Sequence, residues 1–76
     1  DFIDYPYNFL MSTSPKFQVG DQLQHLKTGG FYRIICLAKI EANLEDAYVY
    51  EALINGSYWI RPKTEMEDGR FIRVNE

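Results

Sequence analysis

The chain has one histidine and one cysteine, so any chemistry done by a side-chain pair starts with His25 and Cys36. An imidazole-activated thiolate is a nucleophile for acyl transfer, and it needs both groups within hydrogen-bond reach, as on paired strands. Cys36 lies in the most apolar stretch, from Phe31 to Ile40, where a free cysteine behaves as a small core hydrophobe. A buried Cys36 and no catalytic dyad are therefore expected. One histidine among scattered carboxylates has no recognisable metal-ligand spacing either. No catalytic residue, metal or cofactor follows from these residues, and the chain reads as a non-enzyme. A lone cysteine cannot form a disulfide within the monomer, so a reducing, cytoplasmic setting is expected.

The other chemistry open to these side chains is recognition. Tyr32, Tyr50, Trp59 and Arg61, with His25 and Lys27, form an aromatic and basic set. Trp59 and Arg61 are two residues apart, so in a strand they share a face, opposite Tyr58 and Ile60. If Tyr58 and Ile60 face the core, Trp59 and Arg61 face outward, and an exposed Trp beside an Arg has the composition of an interface hot spot. The structural alternative is that Trp59 caps an open barrel end while Arg61 pairs with Glu51 across a hairpin. The acidic groups Glu41, Glu45, Asp46 and Glu65, Glu67, Asp68 read as solvated loop surface, and they would repel nucleic acid.

These side chains must be positioned by short strands. Gln22 to Leu26 alternates polar and apolar, placing Leu23 and His25 on one side. Gly29 and Gly30 allow a tight turn, so Phe31 to Ile40 returns as an antiparallel partner. Its even positions Tyr32, Ile34, Cys36, Ala38 and Ile40 are all apolar, predicting one face wholly in the core. Ala47 to Ile54 runs into Asn55-Gly56, which suits the two positive φ values of a type I′ turn, and Ser57 to Arg61 returns from it. Pro62 ends that strand or confines it to an edge. Thr64 and Glu67 are spaced as a capping box over one helical turn in Lys63 to Asp68, which Gly69 can close, and Phe71 to Val74 is a last strand. Five short strands with a helical turn before the last predict a mostly β fold, a small SH3-like barrel over residues 17–76. A five-stranded oligonucleotide-binding type of barrel is the alternative.

At 76 residues there is room for one core, and 46% hydrophobic with 16% aromatic residues is the composition of a folded chain. The formal net charge is −3 and no basic run is present, so nucleic acid is not the favoured partner. No apolar stretch is long enough to cross a membrane as a helix, and the first residues lack the basic start of a signal peptide. Residues 1–16 stand apart. Asp1 to Leu10 is rich in aromatics, and Met11 with its Ser/Thr/Pro spacer looks like a translation start. They form either an aromatic arm that docks on the domain or on a second copy, or an added leader.

From Gly20 to Val74, about three quarters of the chain, the sequence resembles the DUF1653 family of short bacterial and phage proteins. The resemblance rests on His25-Leu26-Lys27 with Gly29 and Gly30, on Tyr32, on Val49-Tyr50-Glu51-Ala52-Leu53, on Trp59-Ile60-Arg61-Pro62 and on Met66. Leu23 stands where the family usually carries an aromatic residue, and one extra residue separates Lys27 from the glycines. The resemblance implies a small single domain and no assigned activity. Two functions are weighed. The first is a non-catalytic module that binds a protein or peptide segment through the aromatic and basic face or an edge strand. The second is single-stranded nucleic-acid binding, with bases stacked on Trp59 and Tyr32.

Overall fold

A computed structural model of the chain describes residues 14–74, so the expectations for residues 1–10 lie outside the described residues. Five strands form one antiparallel sheet: β1 (Gln22–His25), β2 (Phe31–Lys39), β3 (Asp46–Ala52), β4 (Tyr58–Pro62) and β5 (Phe71–Arg73). The order across the sheet is β4-β3-β2-β1-β5, a meander whose last strand returns beside the first. Among the described residues no ladder joins β4 to β5. The mostly β fold expected from the sequence is present, and across the described residues the sheet is open, so its closure into a small barrel is not confirmed.

The strands fall where turn chemistry allows them. Gly29 takes a positive φ of 80° and folds β2 back on β1, pairing Leu23 with Tyr32. Pro62 ends β4, and a helical connection follows at once over Lys63–Glu65 and Met66–Arg70. Gly69, with φ 105°, breaks that connection and releases the chain into β5, which pairs His25 with Phe71.

Two local expectations fail for identifiable reasons. The β3–β4 loop is not a type I′ turn on Asn55-Gly56, because Gly56 has a positive φ of 74° and Asn55 does not. Instead the Gly56 N–H donates to the Ala52 carbonyl (2.7 Å), while Asn55 Oδ1 accepts from the Ser57 N–H (3.0 Å). The Asn side chain thus replaces one main-chain bond of the turn. In β2, a register shift separates Ile34, opposite Tyr50, from Cys36, opposite Val49. The extra residue, Ile35, inverts the alternation, so Leu37 rather than Cys36 follows Ile34 on the side of Tyr48. Cys36 is exposed, not a core residue.

One face of the sheet carries the core: Leu23, Ile34, Tyr48, Tyr50 and Phe71, closed over by Met66 from the helical connection and Phe17 from the entry segment. Tyr48 has no solvent exposure (0%), and its hydroxyl is nevertheless satisfied. It donates to Glu67 Oε2 and accepts the Phe17 N–H at 3.1 Å. Glu67 also accepts from the Lys16 N–H (2.8 Å) and pairs with Lys63 (3.2 Å). Glu67 is therefore not the solvated loop acid or capping-box partner that its spacing suggested. It ties the entry segment and the helical connection to β3. Arg73 completes the tie from the far edge, donating to the Lys16 carbonyl (2.7 Å) and to Asp21 (3.0 Å).

Candidate recognition face

The six residues singled out in the sequence all fall on the core side of the sheet or at its rim. Tyr50 is paired with Trp59, Tyr48 with Arg61, Leu23 with Tyr32, and His25 with Phe71, and directly opposed residues share a face. Trp59 and Arg61 therefore lie on the same face as Tyr48 and Tyr50, and it is Tyr58 and Ile60 that lie on the outer face, the reverse of the facing first supposed. Trp59 is nevertheless 55% exposed, because among the described residues no layer covers β4 at the sheet edge. Arg61 does not pair with Glu51, which stands opposite Tyr58; its Nε donates to Glu65 Oε1 at 3.1 Å.

Beneath these side chains lies an aromatic floor. The rings of Tyr32, Tyr50 and Phe71 meet edge to face, with centroids 5.4–5.8 Å apart, and the His25 ring sits edge-on to Phe71 at 4.7 Å. His25 Nδ1 accepts the Thr28 N–H at 3.3 Å, which leaves Nε2 to carry the proton of the neutral ring. Burial raises the Tyr50 hydroxyl pKa, against the pull of the neighbouring Arg61 guanidinium. The Arg61 pKa is itself raised, chiefly by its hydrogen bond to Glu65.

An open cleft of about 700 Å³ lies beside this floor, lined by His25, Leu26, Lys27, Arg61 and Arg70. Two strands separate β4 from β1 in the sheet, yet Arg61 and His25 line one cleft, so the sheet curls toward itself at this end. Three of the six sequence candidates thus meet in the cleft, and Tyr32 and Tyr50 form its neighbouring floor. Trp59 does not line it. The indole N–H donates to Ser57 Oγ (2.8 Å), which in turn bonds Asn55 Oδ1 (2.7 Å), and this chain holds the ring at the loop end of β4.

Arg70 was missed. Its carbonyl accepts the Leu26 N–H at 2.9 Å, extending the β1–β5 pairing by one step and bringing the side chain to the cleft. The only local signal was its place between Gly69 and the last strand. No dyad forms between His25 and Cys36. His25 pairs with Phe71 on the core side, whereas Cys36 stands opposite Val49, on the outer side with Ile60. Among the described residues, no three His, Cys, Asp or Glu side chains are grouped to hold a metal, and no helix is long and apolar enough to cross a membrane.

No protein-family model, curated protein or solved structure matches this chain.

Proposed function

We propose that this protein is a small non-catalytic interaction module that takes up an extended peptide segment across the face from Trp59 to the cleft. The observation that carries the reading is the placement of a half-exposed Trp59 on an open edge strand, beside an aromatic floor and a basic cleft. Exposed aromatic and arginine side chains dominate the energetics of most protein interfaces. The edge itself supplies main-chain partners. Ala52 N–H donates to the Ser57 carbonyl, and hydrogen-bonded pairs recur every second residue, so Tyr50 with Trp59 and Tyr48 with Arg61 continue the series. The main-chain groups of Tyr58 and Ile60 then point to the outer edge, where among the described residues no strand pairs with them, the position an added strand would take.

Five strands with a helical turn before the last also support an open variant of the SH3-like plan, and an exposed thiol without a disulfide partner favours a reducing, cytoplasmic setting. Single-stranded nucleic acid is the weaker reading. Trp59 is available for stacking, but the chain carries a net charge of −3 and Glu65 lies beside Arg61.

A random-peptide display library panned on the full chain tests the reading. Enriched peptides should bind the wild-type chain and lose about tenfold or more in affinity on a folded W59A/R61A variant. Equal binding to both chains, or an oligothymidylate that binds tighter than every selected peptide, overturns it.

A further inference from the structure

We infer that the cleft lined by His25, Lys27, Arg61 and Arg70 is a carboxylate-recognising subsite, so that the segment bound is acidic, with Asp or Glu two residues from a large apolar residue. This rests on the peptide-binding reading and adds the chemistry of the occupant. Charge complementarity carries it. Lys27 has no ion-pair partner among the described residues. Arg61 gives Nε to Glu65, at 3.1 Å, and its guanidinium also meets the Tyr50 hydroxyl; that same Glu65 oxygen is the one nearest Arg70 Nη1, at 3.8 Å. Arg70 Nε is held by Asp68 at 2.9 Å. Two carboxylates, Glu65 and Asp68, thus answer the two guanidinium groups while Lys27 stands unanswered, and the cleft keeps an excess positive charge, that of Lys27, in a chain whose net charge is −3.

The Lys27 ammonium and the remaining guanidinium N–H groups offer a carboxylate charge-assisted hydrogen bonds, the stronger class of such bonds. Leu26, exposed on the cleft wall, adds apolar contact. A single carboxylate fits this arrangement better than a phosphodiester chain, whose repeated charges would also meet Glu65 and Asp68.

The spacing follows from β4. Trp59 and Arg61 are alternate residues of one strand, about 7 Å apart along it. An extended segment lying beside β4 has the same repeat in either direction, so an apolar side chain seated at Trp59 puts a carboxylate two residues away at Arg61.

The same library distinguishes this inference from the reading beneath it. Peptides enriched on the wild-type chain should carry the acid-x-apolar spacing. On a K27E/R70E variant the acidic preference should vanish or reverse, and the best synthetic acidic peptide should bind about tenfold or more weakly. Lys27 is exposed at the turn, so K27E alone serves if the double variant fails to fold, with a smaller loss in the same direction. Peptides that enrich without acidic bias, or that bind K27E unchanged, overturn the acidic subsite and leave the peptide reading standing. A library that yields no binder overturns both.

Discussion

β3 and β4 are neighbours of nearly the same make-up, Asp46–Ala52 with two tyrosines and Tyr58–Pro62 with a tyrosine and a tryptophan, yet one is the most buried strand and the other the least. On β3 the side chains of Tyr48, Tyr50 and Ala52 are buried; on β4 Tyr58, Trp59 and Ile60 are 66%, 55% and 65% exposed. Propensity is not the difference, since aromatic and β-branched residues favour both strands. Position is. β3 lies between two strands and under Met66 and Phe17, whereas β4 has, among the described residues, one neighbour and no covering layer. Burial of an aromatic side chain here reports what the rest of the chain places over it, and β4 keeps its aromatic side chains at the surface.

The largest test of that contrast is truncation on each strand. Tyr48→Ala should cost about 3–5 kcal/mol, enough to leave most of so small a domain unfolded. Trp59→Ala should cost less than about 1.5 kcal/mol, because much of the ring is already in water. Urea unfolding followed by circular dichroism measures both, and equal losses would erase the distinction between the strands.

A finer cut separates the buried ring from its hydroxyl. Tyr48→Phe keeps the packing but removes one of the Glu67 carboxylate's donors and leaves the Phe17 N–H without its acceptor, at a cost of about 1–3 kcal/mol. The same pair sets two pH limits. Burial pushes the Tyr48 hydroxyl up to about 12 from 10.0, with the Glu67 hydrogen bond adding to it. The folded-state pKa is raised, so this stability is complete below pH 10.0 and drains away as pH climbs toward about 12. For Glu67, burial raises the carboxyl, but hydrogen bonds from Tyr48, Lys16 and Lys63 outweigh it and hold the group below 4.5. Its contribution is complete above pH 4.5 and is lost as pH falls through the lowered value. Thermal melts across pH should show the alkaline limb flattened in Tyr48→Phe and the acid limb flattened in Glu67→Gln. A wild-type acid limb that Glu67→Gln leaves unchanged would remove Glu67 from the tie.

How much of this could be read beforehand divides along the same line. Strand positions were legible because their limits are local: Gly29, Pro62 and Gly69 act within a residue or two of where they stand. The bulge at Ile35 was not, since Ile34, Ile35 and Cys36 are all apolar and nothing in such a run fixes which two share a face. Nor was the inward turn of Glu67, whose partners Tyr48 and Lys16 are 19 and 51 residues away. His25, Lys27 and Arg61 could be nominated for the cleft by residue type. Arg70 reaches it only through the pairing of β5 on β1, a contact between the two ends of the domain. Strand composition likewise could not say which face of β4 would hold Trp59, because that depends on its register against β3.

The smallest expected effect lies in the two loops that bracket β3. After β3, the left-handed position is filled by Gly56, which adopts it without strain. Before β3, it is filled by Leu44, at φ 63°, an exposed residue held by hydrogen bonds from its own N–H to the Ile40 carbonyl (2.7 Å) and from the Glu45 N–H to Asn43 Oδ1 (2.9 Å). A β-carbon in that conformation costs about 1–2 kcal/mol, and Asn tolerates it better than Leu. Leu44→Asn should therefore stabilise the fold by about 0.5–1 kcal/mol, whereas Gly56→Ala should destabilise it by about as much or more. Opposite signs in the two denaturation midpoints would mean that both ends of β3 are set by backbone conformation. A neutral Leu44→Asn would mean that the loop relaxes around Leu44, and that the burial of β3 does not depend on a fixed turn before it.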